Sequence, residues 1–342
     1  MDASRTMDDT AVRAVHRPVL LREAVLWLEC GPGKRIADVT LGLGGHAQAI
    51  LEACAPQGVL VGLDRDGEAL IEARLKLSKV VASSQSRVLL HHADAKDLAN
   101  VLSAEGIPAV DGVLMDLGIS SWQLDSSERG FSFQADGPLD MRMDRRRSLT
   151  ASMVVNSSSE SELWEILRTF GEERWAKSIA RAIVAVRTGR PITRTKELAE
   201  IVRTAIPARF RQTHPHPATR TFQALRIVVN RELEDLPSAL NTALECLAPG
   251  GRLVVIGFHS LEDRLVKRTM KMWEKGCVCP PAFPICRCGR SPQARILTPR
   301  PITPSEAEIA DNPRARSAKM RVAERATGLA SIPAAGFQGA TA

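Results

Sequence analysis

Four short apolar runs, each closing on or beside an aspartate and separated from the next by a helical pattern, dominate the first third of this chain. The runs cover 35–39, 59–63, 87–91 and 110–115, and the acids are Asp38, Asp64, Asp94 and Asp116. Parallel strands need a crossover between them, usually a helix, so the alternation predicts an α/β fold on a parallel sheet. Ligands of such sheets sit in the crevice outside the carboxyl ends of the strands. Acids gathered there would repel a pyrophosphate and suit a cation.

Between the first two runs, Gly42-Leu-Gly44-Gly45-His46-Ala47 fits the loose G-x-G-x-x-G/A pattern, with Asp64 following the second run. Glycines let the backbone approach a ligand, and an acid after the second strand can bind ribose hydroxyls. Nicotinamide cofactors and S-adenosyl-L-methionine would both be served. Asp94 and Asp116 separate the two, because a dinucleotide has no use for further acids while a sulfonium does. The row therefore predicts an S-adenosyl-L-methionine-dependent methyltransferase. Each aspartate alone reads equally as a helix cap, and His46 as a capping or core histidine; recurrence at strand ends carries the ligand reading. The segment from Asp116 to Gln123 follows the fourth strand, where an acceptor would lie. Its carboxylate, hydroxyl and amide oxygens could hold an exocyclic amine in line with the methyl. It lacks the Asp/Asn-Pro-Pro-aromatic form, so the segment leaves the acceptor atom open.

From 123 to 216 the chain turns polar and helical, with helices predicted over 161–170, 172–187 and 195–205, as in a helical insertion. A helix opened by Pro217 then carries Phe222, Leu225, Val229, Leu233 and Leu236 at helical spacing. A turn at 249–251 leads to a fifth strand over 252–256, and Ser260-Leu-Glu-Asp263 forms a capping box. The expected division is a sheet domain of 16–124 and 216–325, an RNA-recognition insertion of 125–215, and flexible tails at 1–15 and 326–342.

A net charge of +7 and two cationic segments, 142–147 and 314–321, point to a polyanionic partner gripped through its phosphates. The absence of tyrosine and an aromatic content of 4% argue against a broad base-stacking platform. Seven cysteines, an odd number, in a chain without an export signal or membrane-length apolar run predict a cytoplasmic protein with reduced thiols. Cys277, Cys279, Cys286 and Cys288, in two C-x-C pairs, could supply four thiolates to zinc; reduced thiols in an irregular loop are the alternative. None of the cysteines lies in a strand-end loop of the core, so the acceptor is expected to attack the methyl directly, with no covalent enzyme intermediate.

From His16 to Arg325 the chain resembles the bacterial small-subunit (16S) ribosomal RNA cytosine-N4-methyltransferases. The resemblance rests on segments 16–21, 38–46, 111–121, 128–133, 136–144, 170–174, 216–226, 258–264 and 312–319. It implies a class I (Rossmann-like) methyltransferase sheet with an inserted helical domain. It also implies transfer of a methyl from S-adenosyl-L-methionine to the N4 amine of one cytidine in the decoding region, within the assembled 30S subunit. The family's cofactor contacts fall on Gly44, Gly45, His46, Asp64, Asp116 and Gln123. A further contact, usually phenylalanine, falls on Ala95. Leu41, Leu43, Trp122, Phe170 and Gly257 are milder departures. For the approach to the target amine, Asp140 and His259 are the candidates, with anchoring the insertion and orienting a strand end as their structural alternatives. A homodimer is left open.

Overall fold

The computed structural model describes residues 18–211, 216–277, 279–280, 283, 285 and 287–327. The predicted tail at 1–15, nearly all of that at 326–342, and Cys286 lie outside the described residues. Among the described residues, seven strands form one sheet: β1 Arg35–Asp38, β2 Val59–Asp64, β3 Arg87–His92, β4 Val110–Asp116, β5 Leu247–Gly257, β6 Ala294–Ile296 and β7 Lys319–Arg325. Their order is β3-β2-β1-β4-β5-β7-β6. The first five run parallel, and β7 and β6 are added antiparallel. The strand order reverses between β1 and β4, which opens a crevice at their carboxyl ends.

Helices cover both faces, which is why the strands read as unbroken apolar runs. On one face α1 (Leu21–Trp27), α2 (Gly45–Ala53) and α3 (Gly67–Ser84) bury Ile50, Leu51 and Leu77 against Ile36, Leu60 and Leu114. On the other, α4 (Leu98–Ala104) packs Leu98 and Leu102 with Val61, Val113 and Met115. Successive β4 residues Val113, Leu114 and Met115 thus enter opposite cores, as the two-residue strand period requires. The predicted α/β class holds.

The stretch between β4 and residue 216 carries α5 (Ser121–Asp125), which precedes the expected boundary of the insertion, and then α6 (Ala151–Ser157), α7 (Glu160–Gly171), α8 (Ala176–Arg187) and α9 (Thr195–Ala205). The insertion has its own core around Leu163, Leu167, Ile179, Ile183, Leu198 and Val202. Then the single helix expected after Pro217 divides into α10 (Thr219–Asn230) and α11 (Glu232–Cys246), broken at Arg231 with φ 52°. One left-handed residue re-aims the chain without altering the spacing of apolar residues, so periodicity could not reveal the break. Phe222, Leu225 and Val229 of α10 close the insertion's core, while Leu236, Leu240 and Leu244 of α11 pack on the sheet. Asn230 pins the junction: Oδ1 accepts Met143 N–H at 2.7 Å and Nδ2 donates to the Met141 carbonyl at 2.8 Å. Another helix, α12 (Ser260–Lys275), joins α11 on the second face.

Sequence reading missed β6 and β7. The cationic stretch 319–325 hides a strand alternation, with Met320 and Val322 turned to one core and Ala323 to the other. Arg321 is only 6% exposed and is held by Asp263, Nε to Oδ1 at 2.7 Å. Among the described residues, no helix is long and apolar enough to cross a membrane.

Candidate active site

A cavity of about 590 Å³ opens at the carboxyl ends of β1, β2 and β4, a size suited to a cofactor-like ligand. Its floor is the loop that carries β1 into α2. Gly44 caps α2 in the left-handed region at φ 73°, where a side chain would be strained. Gly44 itself does not line the cavity; it faces Ala73 and Leu77 of α3. Gly45 does line it, and a Cβ there would stand 2.5 Å from the Pro18 ring, so only glycine lets the two segments meet. His46 follows, with Nε2 2.9 Å from the Val19 carbonyl.

Asp64 fixes this loop to β2: its carboxylate accepts N–H bonds from Gly42 at 2.7 Å and Asp66 at 2.8 Å. Asp116, at the end of β4, is held by its own N–H, which donates to Thr40 Oγ1 at 2.6 Å. Asp116 Oδ2 lies 3.5 Å from His46 Nδ1, while Oδ1 is buried with no hydrogen-bond partner. Burial pushes the Asp116 carboxyl well above the usual carboxylate range, and the charges of Asp38 and Glu262 push it further. Burial raises Asp64 as well, against the opposing bonds from Asp66 and Gly42. Asp38 is pushed up to about 7, again chiefly by burial. These are carboxylates whose negative charge lacks compensation, the environment a cationic ligand would relieve.

The row of four acids needs one correction. Asp64, Asp94 and Asp116 line the cavity, but Asp38 sits behind the loop, 1% exposed, accepting the Thr40 N–H at 3.2 Å. Asp94 lines the cavity already paired, to Arg65 at 3.3 Å and Arg147 at 2.9 Å. Ala95 lines it too, offering a methyl rather than a ring. Gln123 lines the α5 side; Nε2 donates to Asp66 Oδ2 at 2.7 Å, and the same oxygen pairs with buried Arg129 at 2.7 Å.

Asp140 and His259 are not among the lining residues. Asp140 is gripped by Arg142 through its backbone N–H, Nε and Nη2 at 2.8–3.0 Å. Burial would raise its carboxyl, but these bonds hold it below the usual range. His259 caps α12, with Nδ1 accepting the Glu262 N–H at 3.4 Å and Nε2 lying 3.3 Å from Glu262 Oε1. Glu262 does line the cavity and accepts the Phe258 N–H at 2.8 Å. Burial alone would raise Glu262; His259 and Arg226 keep it low. Any influence of His259 on the cavity therefore passes through Glu262. The sequence reading placed the capping box on Ser260 and Asp263, whereas it forms one residue earlier between His259 and Glu262; it gave Glu262 no role and did not find Arg226, Glu232, Asp235 or Lys96. Two ion pairs join these on the cavity wall, Arg226 with Glu232 at 2.8 Å and Lys96 with Asp235 at 3.2 Å.

The cationic segments also differ from expectation. Arg142, Arg145, Arg146 and Arg147 pair with Asp140, Glu68, Asp144 and Asp94, and Arg314 pairs with Asp125. An acid two residues before Arg142 and before Arg146 folds back on each, so the run is neutralised locally. The cysteine pairs lie apart from the cavity: Cys277, Cys279 and Cys288 gather between α12 and β6.

Residues 13–326 match the model of the MraW methylase family. The chain is 50% identical over 311 residues to the Ribosomal RNA small subunit methyltransferase H of Desulfosudis oleivorans, covering 91% of this chain and 98% of that one. To the protein of the same name from Syntrophotalea carbinolica it is 51% identical over 310 residues, again covering 91% and 98%. The chain belongs to the MraW methylase family, and S-adenosyl-L-methionine is its methyl donor.

Proposed function

We propose that this protein methylates small-subunit (16S) ribosomal RNA, placing the methyl on the exocyclic N4 of a cytidine in the decoding region. We place this reaction in the cytoplasm, on the assembled 30S subunit. The names of the relatives support the RNA class. The family resemblance across segments 16–325 supports the nitrogen and its location. One observation carries the chemistry: Asp116 lines the cavity with a raised carboxyl whose Oδ1 is buried and has no hydrogen-bond partner.

When bound, the donor supplies a methyl activated by its sulfonium. Asp64, already oriented by two backbone N–H groups, keeps lone pairs for ribose hydroxyls. Gly45 allows close backbone approach, and Ala95 and Gln123 flank the remaining wall. The cytosine amine is a poor nucleophile because its lone pair is delocalised into the ring. The protein's task is to hold that nitrogen in line and accept hydrogen bonds from it. Asp116 and the loop 117–121 border the acceptor space. Asp116, with its raised pKa, is the group suited to take the proton the nitrogen loses. His259 acts as a positioning residue for Glu262, and Asp140 fixes the segment that brings Met143 to the cavity.

For RNA contact, the insertion offers a better surface than the neutralised run at 142–147. Arg174 and Arg209 are exposed, stacked over Trp175 and Phe210 at 5.3 Å and 4.8 Å. Guanidinium planes held this way can meet both phosphates and unstacked bases.

Nucleoside mass spectrometry of 16S RNA from cells with and without the gene tests the assignment. N4-methylated cytidine should vanish in the deletion, return with the intact gene and stay absent with Asp116→Asn. Its persistence without the gene would refute the assignment.

A further inference from the structure

We propose that Cys277, Cys279 and Cys288 bind a zinc ion that closes the excursion between α12 and β6. The ligand atoms of the three residues lie within 4.8 Å of one another. Cys277 and Cys288 Sγ are 3.7 Å apart. A disulfide would bring them to about 2.05 Å. Thiolates at about 2.3 Å around a tetrahedral zinc stand about 3.8 Å apart, and the observed separation matches that spacing.

The backbone supports charged sulfur at the same place. The Cys279 N–H donates to Cys277 Sγ at 3.4 Å, and the Arg287 N–H donates to Cys279 Sγ at 3.3 Å. Such N–H···S bonds orient thiolates and offset part of their charge, the role of outer-shell partners in metal sites.

The fold supplies the reason for a clamp. Gly276 ends α12 at φ 64°, and a Cβ there would lie 2.5 Å from the Pro292 nitrogen. The Gln293 N–H donates to the Trp273 carbonyl at 2.8 Å. The two ends of the loop therefore meet. Among the described residues of the loop, Phe283 and Ile285 are 49% and 75% exposed and bury little apolar surface. Three sulfurs near its neck give the loop a cross-link that a reducing compartment leaves intact. Three thiolates leave one tetrahedral position for a fourth ligand.

The test uses the full chain, purified without added metal in a non-chelating phosphine reductant. Elemental analysis should find about one zinc per chain. Cys277→Ser/Cys288→Ser should lose it while still giving heat with S-adenosyl-L-methionine; Cys30→Ser should keep it. Metal-stripped wild-type protein titrated with cobalt(II) should reach a sulfur-to-cobalt charge-transfer band at one equivalent. This titration carries the test even if the double variant fails to fold. Wild-type protein without zinc and without a cobalt band would overturn the proposal. So would zinc retained by a folded double variant, or a Cys277–Cys288 disulfide found by mass spectrometry.

Discussion

His46 faces Asp116 across 3.5 Å from Nδ1 to Oδ2, while Nε2 of the same ring lies 2.9 Å from the Val19 carbonyl. A carbonyl can only accept, so Nε2 carries a proton. The neutral ring would then turn a lone pair toward the carboxylate. The contact is favourable only when a further proton rests on one partner. Asp116 thus lines the cavity while its Oδ1 stays buried without a hydrogen-bond partner.

Asp116→Asn removes that charge with little change of shape. Methyl transfer should fall by about 10²-fold or more in kcat/KM, measured with 30S subunits and radiolabelled donor. The thermal midpoint of the ligand-free variant should equal or exceed that of the parent, since an uncompensated buried acid has gone. Unchanged transfer would remove Asp116 from the mechanism.

Asp38 makes ligand-free stability depend on pH. Its folded pKa of about 7 lies above its ordinary value of 3.8. The stability linked to this proton is complete below pH ~4 and is lost as pH rises through ~7. The raised carboxyls of Asp64 and Asp116 act in the same direction. Lowered carboxyls such as Asp140, Asp144 and Asp263 titrate below their ordinary 3.8 and do not oppose them in this window; His216, lowered from 6.5 by burial, opposes them in part. The melting midpoint without ligand should fall from pH 5 to pH 8. Donor binding should tighten over the same range and release protons, read by calorimetry in buffers of different ionisation heat.

Arg129 is 2% exposed and joins Asp66, Glu68 and the carbonyls of Arg142 and Met143. Arg129→Met should cost about 3–5 kcal/mol, because Asp66 would be left as a buried charge beside Gln123. Urea denaturation gives the value. A loss below about 1 kcal/mol would show that Asp66 is not dependent on this partner.

His259→Ala and Asp140→Asn separate positioning from chemistry. The first removes a helix cap, costing about 1 kcal/mol, and frees Glu262. It should lower kcat roughly tenfold while donor affinity stays near that of the parent. The second should lower stability more than rate, since Asp140 is spent on Arg142. A larger rate loss for Asp140→Asn than for Asp116→Asn would reverse the two roles.

Arg174→Glu/Arg209→Glu reverses two exposed charges on the insertion. Affinity for ribosomal RNA should fall, and the slope of log K against log salt should flatten by about 1–2, as expected when one or two phosphate contacts disappear. Filter binding at several salt concentrations checks this, with donor affinity as the unaffected control.

The centre of the sheet was legible because β1, β2 and β4 are buried on both faces, and apolar runs such as 59–63 and 110–115 follow from that burial. Strand ends were legible because Asp64 and Asp116 stand where apolar character stops. β7 was not, since Arg321 and Arg325 look like a solvated cationic tail until Asp263 and the Glu245 and Leu247 carbonyls receive them. The break at Arg231 was hidden for a different reason: one αL residue leaves the periodicity untouched.

What the sequence determined by itself is local: where the chain extends, where it coils, and which acids terminate parallel strands beside a glycine turn. Those properties depend on neighbours within a few residues, and side-chain chemistry states them directly. Only the tertiary structure decided which charges are left over. Arg147 reaches Asp94, Arg129 reaches Asp66 and His259 reaches Glu262, whereas Asp116 Oδ1 finds no partner. Electrostatic pairing depends on distance and burial between residues remote along the chain, and those exist only once the sheet, the insertion and α12 have come together.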